Sequence, residues 1–330
     1  MKKYFLYFTV VLFAFLSCSK NDDSTGTPSG IKGESTTVFY TDTFKIYSTD
    51  LKGGNRKLVV DEGPNNSSSN NYIYSTAYVP TANKLVYIYT EFYDKPFFLK
   101  TCNLDGTDKK IIKTFPAFTN VGLVKATSDG QIFYTLPGKP FPNQTPSKTF
   151  SIKADGTGET EVTQQFYVNI TDPNLISTDG KGILSPSGYF GVLVNGTFDE
   201  RNSFNLLLNE EKDKTKYKSI ILSADATKAA FLLSTSTIGK FEVRIKNVKK
   251  DEPTSTVLYT LNIPADANQY GGTIRFVNGT KNILIYYGKF TGPKGSSNDY
   301  TNCELIDVAT GKVTQTWKFT GDEIYNVVVD

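Results

Sequence analysis

A short unit recurs along this chain: a strand, an Asp-Gly or similar tight turn, and a second strand. Clear copies run over Ile46–Gly54, Lys100–Thr107, Phe150–Thr157 and Glu304–Lys312, and two degenerate copies over Leu207–Lys214 and Val243–Asp251. Between these hairpins lies a second unit, a turn followed by an apolar strand that reads as the inner half of a small sheet. Its copies are Pro80–Tyr87, Ser128–Tyr134, Ser185–Val192, Ser223–Phe231 and Asn278–Ile285. Asp-Gly and Asn-Gly suit such turns because type I′ geometry needs positive φ. One such unit cannot bury its apolar face alone, but neighbours stacked in series can. The spacing varies between about 40 and 60 residues, as expected for propeller blades carrying loops of different length.

Six outer hairpins but only five inner ones are found, and the chain ends supply the sixth. Glu323–Val329 reads as a strand with no following turn, and Thr36–Tyr40 as a strand with no preceding one. Pairing them closes a ring and removes the open sheet edges that would otherwise template aggregation. The expected fold is therefore all-β, a six-bladed β-propeller closed by its N- and C-terminal strands. Composition agrees: Tyr (20) and Phe (23) are abundant, Met and Trp occur once each, and Thr, Val and Ile recur in short runs split by Gly, Asn, Asp and Ser.

The repeats resemble the TolB-like propeller family, in which a Ser-Pro-Asp-Gly-type inner turn alternates with an outer strand ending in Asp-x-x-Gly. The resemblance covers nearly all of residues 35–330, and Ser185-Pro186-Ser187-Gly188 retains the Ser-Pro-x-Gly frame. No internal linker interrupts this stretch; the tracts Asn65–Asn71 and Gly292–Asn298 read as loops within blades.

The N-terminal segment reads as an export signal. Lys2 and Lys3 precede an uncharged apolar run from Tyr4 to Leu16, followed by Ser17 and Cys18. That run is shorter than the ~20 residues a membrane-spanning helix needs. Leu16-Ser17-Cys18 resembles the lipobox of bacterial lipoproteins, which implies cleavage of residues 1–17 and acylation of Cys18. Residues 18–34 carry almost nothing to bury and read as a flexible tether. The start Cys18-Ser19-Lys20-Asn21-Asp22-Asp23 resembles surface lipoproteins of the Bacteroidetes, implying a lipid-anchored protein of the outer membrane that faces the cell exterior. Asp23-Ser24-Thr25 also resembles that phylum's short O-glycosylation motif.

Several function classes are excluded or left without support. The chain contains no histidine, so Ser-His-Asp and Cys-His nucleophiles, histidine metal ligation and histidine general bases are all absent. No phosphate-cradling loop, nucleophile elbow or calcium loop occurs. Basic and acidic residues nearly balance, 36 against 33, with no basic stripe for nucleic acid. No metal, cofactor or catalytic residue is called for. Some TolB-like relatives are lyases with metal-binding histidines, a route this composition closes. Cys102 and Cys303, apart from Cys18 the only cysteines, fall in blades separated by the first blade and are expected to be free thiols.

Function is expected on the face where the loops crossing the middle of each blade gather. Those loops are Glu91–Pro96, Gly138–Gln144, Gly196–Asn202 and Gly288–Tyr300, each setting an aromatic beside charged or amide groups. Tyr93, Asp94, Phe141, Asp199, Arg201, Phe290 and Tyr300 are the candidate ligand-binding residues. The expected function is a cell-surface binding or scaffolding module for a glycan, peptide or protein partner. The alternative is a carboxylate-based glycosidase or polysaccharide lyase at the channel mouth.

Overall fold

The computed structural model describes residues 37–330 apart from 64–71, 93, 123, 139–144, 146, 163–175, 186–187, 195–196, 208–216, 266, 268–271, 278, 290–299, 321–323 and 330. Within them lie β-strands and one 3-10 turn at Pro80–Ala82. Blade 1 combines β1 (Thr37–Asp42), β2 (Lys45–Asp50) and β3 (Lys57–Asp61), and blade 2 is β4 (Tyr72–Val79), β5 (Lys84–Thr90), β6 (Phe97–Asn103) and β7 (Lys110–Phe115). Blade 3 is β8 (Val124–Ala126), β9 (Gln131–Leu136), β10 (Lys148–Lys153) and β11 (Thr160–Glu161). Blade 4 shows β12 (Gly182–Leu184), β13 (Tyr189–Val194) and β14 (Thr197–Asn205). Blade 5 is β15 (Tyr217–Leu222), β16 (Lys228–Ser234), β17 (Lys240–Asn247) and β18 (Thr256–Asn262). Blade 6 is β19 (Thr273–Val277), β20 (Asn282–Lys289), β21 (Tyr300–Asp307) and β22 (Val313–Thr320), after which β23 (Ile324–Val329) returns to blade 1.

The ring is closed as the terminal strands predict. β23 pairs antiparallel with β1, from Val38 opposite Val329 to Asp42 opposite Ile324, and becomes the innermost strand of blade 1. Closure also shows in packing, because six apolar clusters each fill one junction between neighbouring blades. Val38 and Tyr40 pack with Leu284, Cys303 and Phe319 of blade 6, whereas Phe39, between them, packs with Leu85 and Tyr87 of blade 2. Side chains alternate across a strand, so the second strand of a blade feeds two junctions. In β5, Leu85, Tyr87 and Tyr89 face blade 1 while Val86 and Ile88 face blade 3. These strands read as continuous apolar runs because both faces are covered; burying each such side chain contributes roughly 1.5–3 kcal/mol.

The outermost strands solve a different problem. In blades 1, 2, 5 and 6 the pairing of the last two strands skips one residue: Val59, Ile112, Leu258 and Thr314 respectively. Each skip is a β-bulge that breaks the regularity of an edge strand. Val59, Ile112 and Leu258 thereby turn into the junction with the following blade. The preceding residues, Leu58, Ile111, Val257 and Val313, remain exposed.

Two faces result. The turn face holds the turns joining first to second and third to fourth strands; the loop face holds the loops crossing the middle of each blade and those passing between blades. A repeated device builds the turn face. The buried hydroxyls of Thr127, Ser177 and Ser223 donate to Asp129, Asp179 and Asp225 two residues on, at 2.5, 2.6 and 2.7 Å. Neighbouring turns are stitched together by Ser128 N–H to the Thr178 carbonyl and Asp179 N–H to the Ala224 carbonyl.

Blade 4 departs from the sequence reading. Its inner turn is Ser177-Thr178-Asp179-Gly180, not Ser185–Gly188. The evidence is a bond that recurs where the third strand meets the start of the second: Val248 N–H to Thr227 in blade 5, Val308 to Lys281 in blade 6, and Leu193 to Lys181 in blade 4. β12 is therefore the second strand of its blade, with Ile176 bridging to Ile183 on its inner side. Ser185–Gly188 becomes the middle turn and β13–β14 the outer hairpin, in place of Leu207–Lys214.

Candidate ligand-binding face

Of the seven candidate residues, the three whose side chains are described, Asp94, Asp199 and Arg201, do not lie together. Asp94 lies exposed in the middle loop of blade 2, as expected. Tyr93, Phe141 and Phe290 fall outside the described residues, and Tyr300 is placed only as the first residue of β21, opposite Lys289. Asp199 and Arg201 are not on a middle loop. They belong to β14, the outer strand of blade 4, next to its hairpin on the turn-face side. There Asp199 accepts bonds from the Arg201 backbone N–H at 3.0 Å and from Asn202 Nδ2 at 2.7 Å, and its carboxyl is held below the usual range by Asn202 and then by Arg201. These contacts cap an irregularity within the strand, and they remove both residues from the loop face. Cys18 also lies outside the described residues.

The loop face of blade 2 carries a cluster that sequence reading largely missed. Tyr74 is the extra residue of a bulge between Ile73 and Ser75 in the innermost strand, where it is 39% exposed at the mouth of the channel. Its ring lies 5.8 Å from Tyr72 and 5.7 Å from the buried Phe97. Phe92 (41% exposed) crowns the middle loop, and Phe118 (58% exposed) crowns the loop leading to blade 3. Phe97 pairs with Phe115, which brings the bases of these two loops together.

Both rings are displayed on pinned backbone. The buried Thr90 hydroxyl sits 2.7 Å from the Phe92 carbonyl and 3.0 Å from that of Pro96, and Lys95 N–H closes the turn onto Phe92. Phe118 adopts φ 62° and Asn120 φ 46°, and the Thr119 hydroxyl bonds the Pro116 carbonyl at 2.6 Å. A bulky residue at positive φ is backbone strain of the kind that concentrates at functional sites.

Several carboxylates at the blade junctions are committed to structure. Glu62, at the end of blade 1, accepts bonds from the Tyr87 hydroxyl at 2.6 Å and Lys100 Nζ at 2.8 Å, both in blade 2. Burial, followed by the Glu62 contacts, drives the Tyr87 hydroxyl pKa far up. Glu159 of blade 3 pairs with Lys113 of blade 2. Glu304 of blade 6 accepts from Tyr259 of blade 5 at 2.8 Å. These carboxylates tie blades together. Among the described residues no group of three or more Cys, Asp or Glu side chains could hold a metal ion.

No protein-family model and no curated protein matches the chain. Solved structures of similar shape include a prolyl endopeptidase at 13% identity and TM-score 0.50, with 91% of this chain aligned to 50% of that one. The chain thus spans about half the length of that enzyme. A TolB from Agrobacterium tumefaciens aligns at 12% identity and TM-score 0.48, covering 91% of this chain and 99% of that one. Hydrazine synthase from Kuenenia stuttgartiensis aligns at 13% identity and TM-score 0.49, over 87% and 80% of the two chains. At such identities the likeness concerns the fold alone. The class is that of the six-bladed β-propeller, a fold that supports a binding or scaffolding module.

Proposed function

We propose that this protein is a lipid-anchored, cell-surface binding module whose loop face at blade 2 engages a glycan, peptide or protein partner. The observation that carries the reading is the display of three exposed rings, Tyr74, Phe92 and Phe118, at one end of one blade. Exposed aromatics on rigid backbone lose little entropy on binding and supply large contact area. The exposed Glu91, Asp94 and Lys95 beside Phe92 supply polar groups around the rings. The test is a glycan and peptide array probed with residues 19–330 and with the Phe92→Ala and Phe118→Ala variants. A ligand lost on both substitutions supports the reading; one lost only on substitution at Asp105 or Asp155 in the outer turns overturns it.

A further inference from the structure

The loop face carries a second apolar tip. Ile238, at 80% exposure, stands at the end of the middle turn of blade 5. That turn is as firmly pinned as the loops of blade 2: Thr235 N–H bonds the Lys240 carbonyl at 3.0 Å, Lys240 N–H bonds Thr237 at 3.1 Å, and Gly239 sits at φ 77° with its carbonyl accepting from Ile263. In a ring of six, blades 2 and 5 stand on opposite sides of the channel. The two tips also differ in charge. Glu91 and Asp94 outnumber Lys95 in the exposed loop of blade 2, whereas Lys218 and Lys240 are exposed at the loop-face end of blade 5 and outnumber Asp266, the one acidic residue in the sequence between β18 and β19. None of the five described charges forms an ion pair with another described residue.

We infer that the loop face is self-complementary and that a second copy of this chain docks on it, with Phe92 and Phe118 of each copy against Ile238 of the other. The inference rests on the reading of the loop face as the binding face. A twofold interface uses one patch on both subunits and must be self-complementary. Rotation about an axis across the ring exchanges blade 2 with blade 5, so each acidic aromatic tip meets a basic aliphatic tip, twice. A single sugar or a short peptide meets one tip only. A second propeller meets both and covers the channel mouth between them.

The test is sedimentation equilibrium of the full chain, with folding of every variant checked by circular dichroism. The expected result is a concentration-dependent dimer that Ile238→Glu or Phe92→Glu weakens by about 30-fold or more, the loss expected of an interfacial hot spot. Lys240→Glu and the double variant Glu91→Lys with Asp94→Lys should each dissociate, yet pair with one another when mixed, because one then carries two acidic tips and the other two basic ones. A wild-type chain that stays monomeric at every concentration reached, or a mixture that does not pair, overturns the inference while leaving the array result for Phe92 and Phe118 intact. A dimer broken by Leu58→Glu or Ile111→Glu on the outer strands, and not by Ile238→Glu, overturns it and moves the binding face as well.

Discussion

A Cβ placed on Gly106 would stand 1.7 Å from the carbonyl oxygen of Val59. Val59 is the bulged residue of blade 1 and Gly106 the turn glycine of blade 2, so the outer turn of one blade is seated directly on the bulge of the blade before it. Gly311 repeats the relation, with 2.4 Å to the carbonyl of Leu258, the bulged residue of blade 5. The glycine of the recurring Asp-Gly turn therefore serves two needs, a positive φ and a close approach between blades.

Gly106→Ala and Gly158→Ala separate those needs. Both glycines have positive φ, but a Cβ on Gly158 meets only the Lys153 side chain, at 3.5 Å. Gly158→Ala should cost about 1–2 kcal/mol from backbone strain alone. Gly106→Ala should cost clearly more, since blade 1 must move; equal urea midpoints for the two variants would show that the approach to Val59 is not a constraint.

Deleting Glu323–Asp330 should lower the melting temperature far more than deleting Asn21–Gly30. The first removes β23 and exposes the inner edge of β1, which is otherwise paired over its length. Similar melting curves for the two truncations would contradict closure by this strand.

Cys102 and Cys303 are both buried and free. They occupy the third strands of blades 2 and 6, on opposite sides of blade 1. Burial pushes the Cys102 thiol up to about 11 and Cys303 well above its ordinary value. Native protein at pH 8 should resist alkylation at both positions and take two labels there once unfolded. A Cys102–Cys303 crosslink in unreduced protein would refute this order of blades.

Alkaline stability follows from the tyrosines. Burial raises the hydroxyls of Tyr40, Tyr89 and Tyr287 to about 12. In the unfolded chain they ionise near 10, so the folded state holds their protons more tightly, and the stability this contributes is complete below pH ~10 and lost as pH rises toward ~12. Thermal melts from pH 8 to 12 should show stability falling over that upper range, with late tyrosine ionisation in the ultraviolet. Ionisation of all tyrosines near pH 10 without loss of stability would speak against it.

On the proposed lipid anchoring, Cys18→Ser should move the protein from the detergent phase to the aqueous phase in phase separation, because Cys18 is the one cysteine in the N-terminal segment that resembles a lipobox. Retention in the detergent phase would place the anchor elsewhere.

The repeat, the ring and its closure were legible because each rests on local chemistry: period-two apolar runs, Asp-Gly turns, and two unpaired terminal strands. Blade 4 was misread for an equally local reason. Ser177-Thr178-Asp179-Gly180 has the same form as Thr127-Ser128-Asp129-Gly130, but the strand after it is only Gly182–Leu184, while the six-residue run Tyr189–Val194 looks like the stronger inner strand. Shifting the frame by one strand carried Asp199 and Arg201 to the wrong face. Phe92 stood inside a loop already singled out; Tyr74 and Phe118 gave no signal, since a bulge and a positive φ at Phe are set by how neighbouring strands pair.

β1 begins on the turn face, where Thr37 lies opposite Asp50 and Val38 opposite Val329. A pull on the segment preceding Thr37, away from that face, acts along the axis of β1 and loads its hydrogen bonds to β2 and β23 together, in shear. Strands drawn past one another must break many bonds at once, whereas a peeled strand yields one pair at a time. The strand that closes the ring is thus also a mechanical clasp. Traction applied at Thr37 is borne by two rows of hydrogen bonds on either side of one strand.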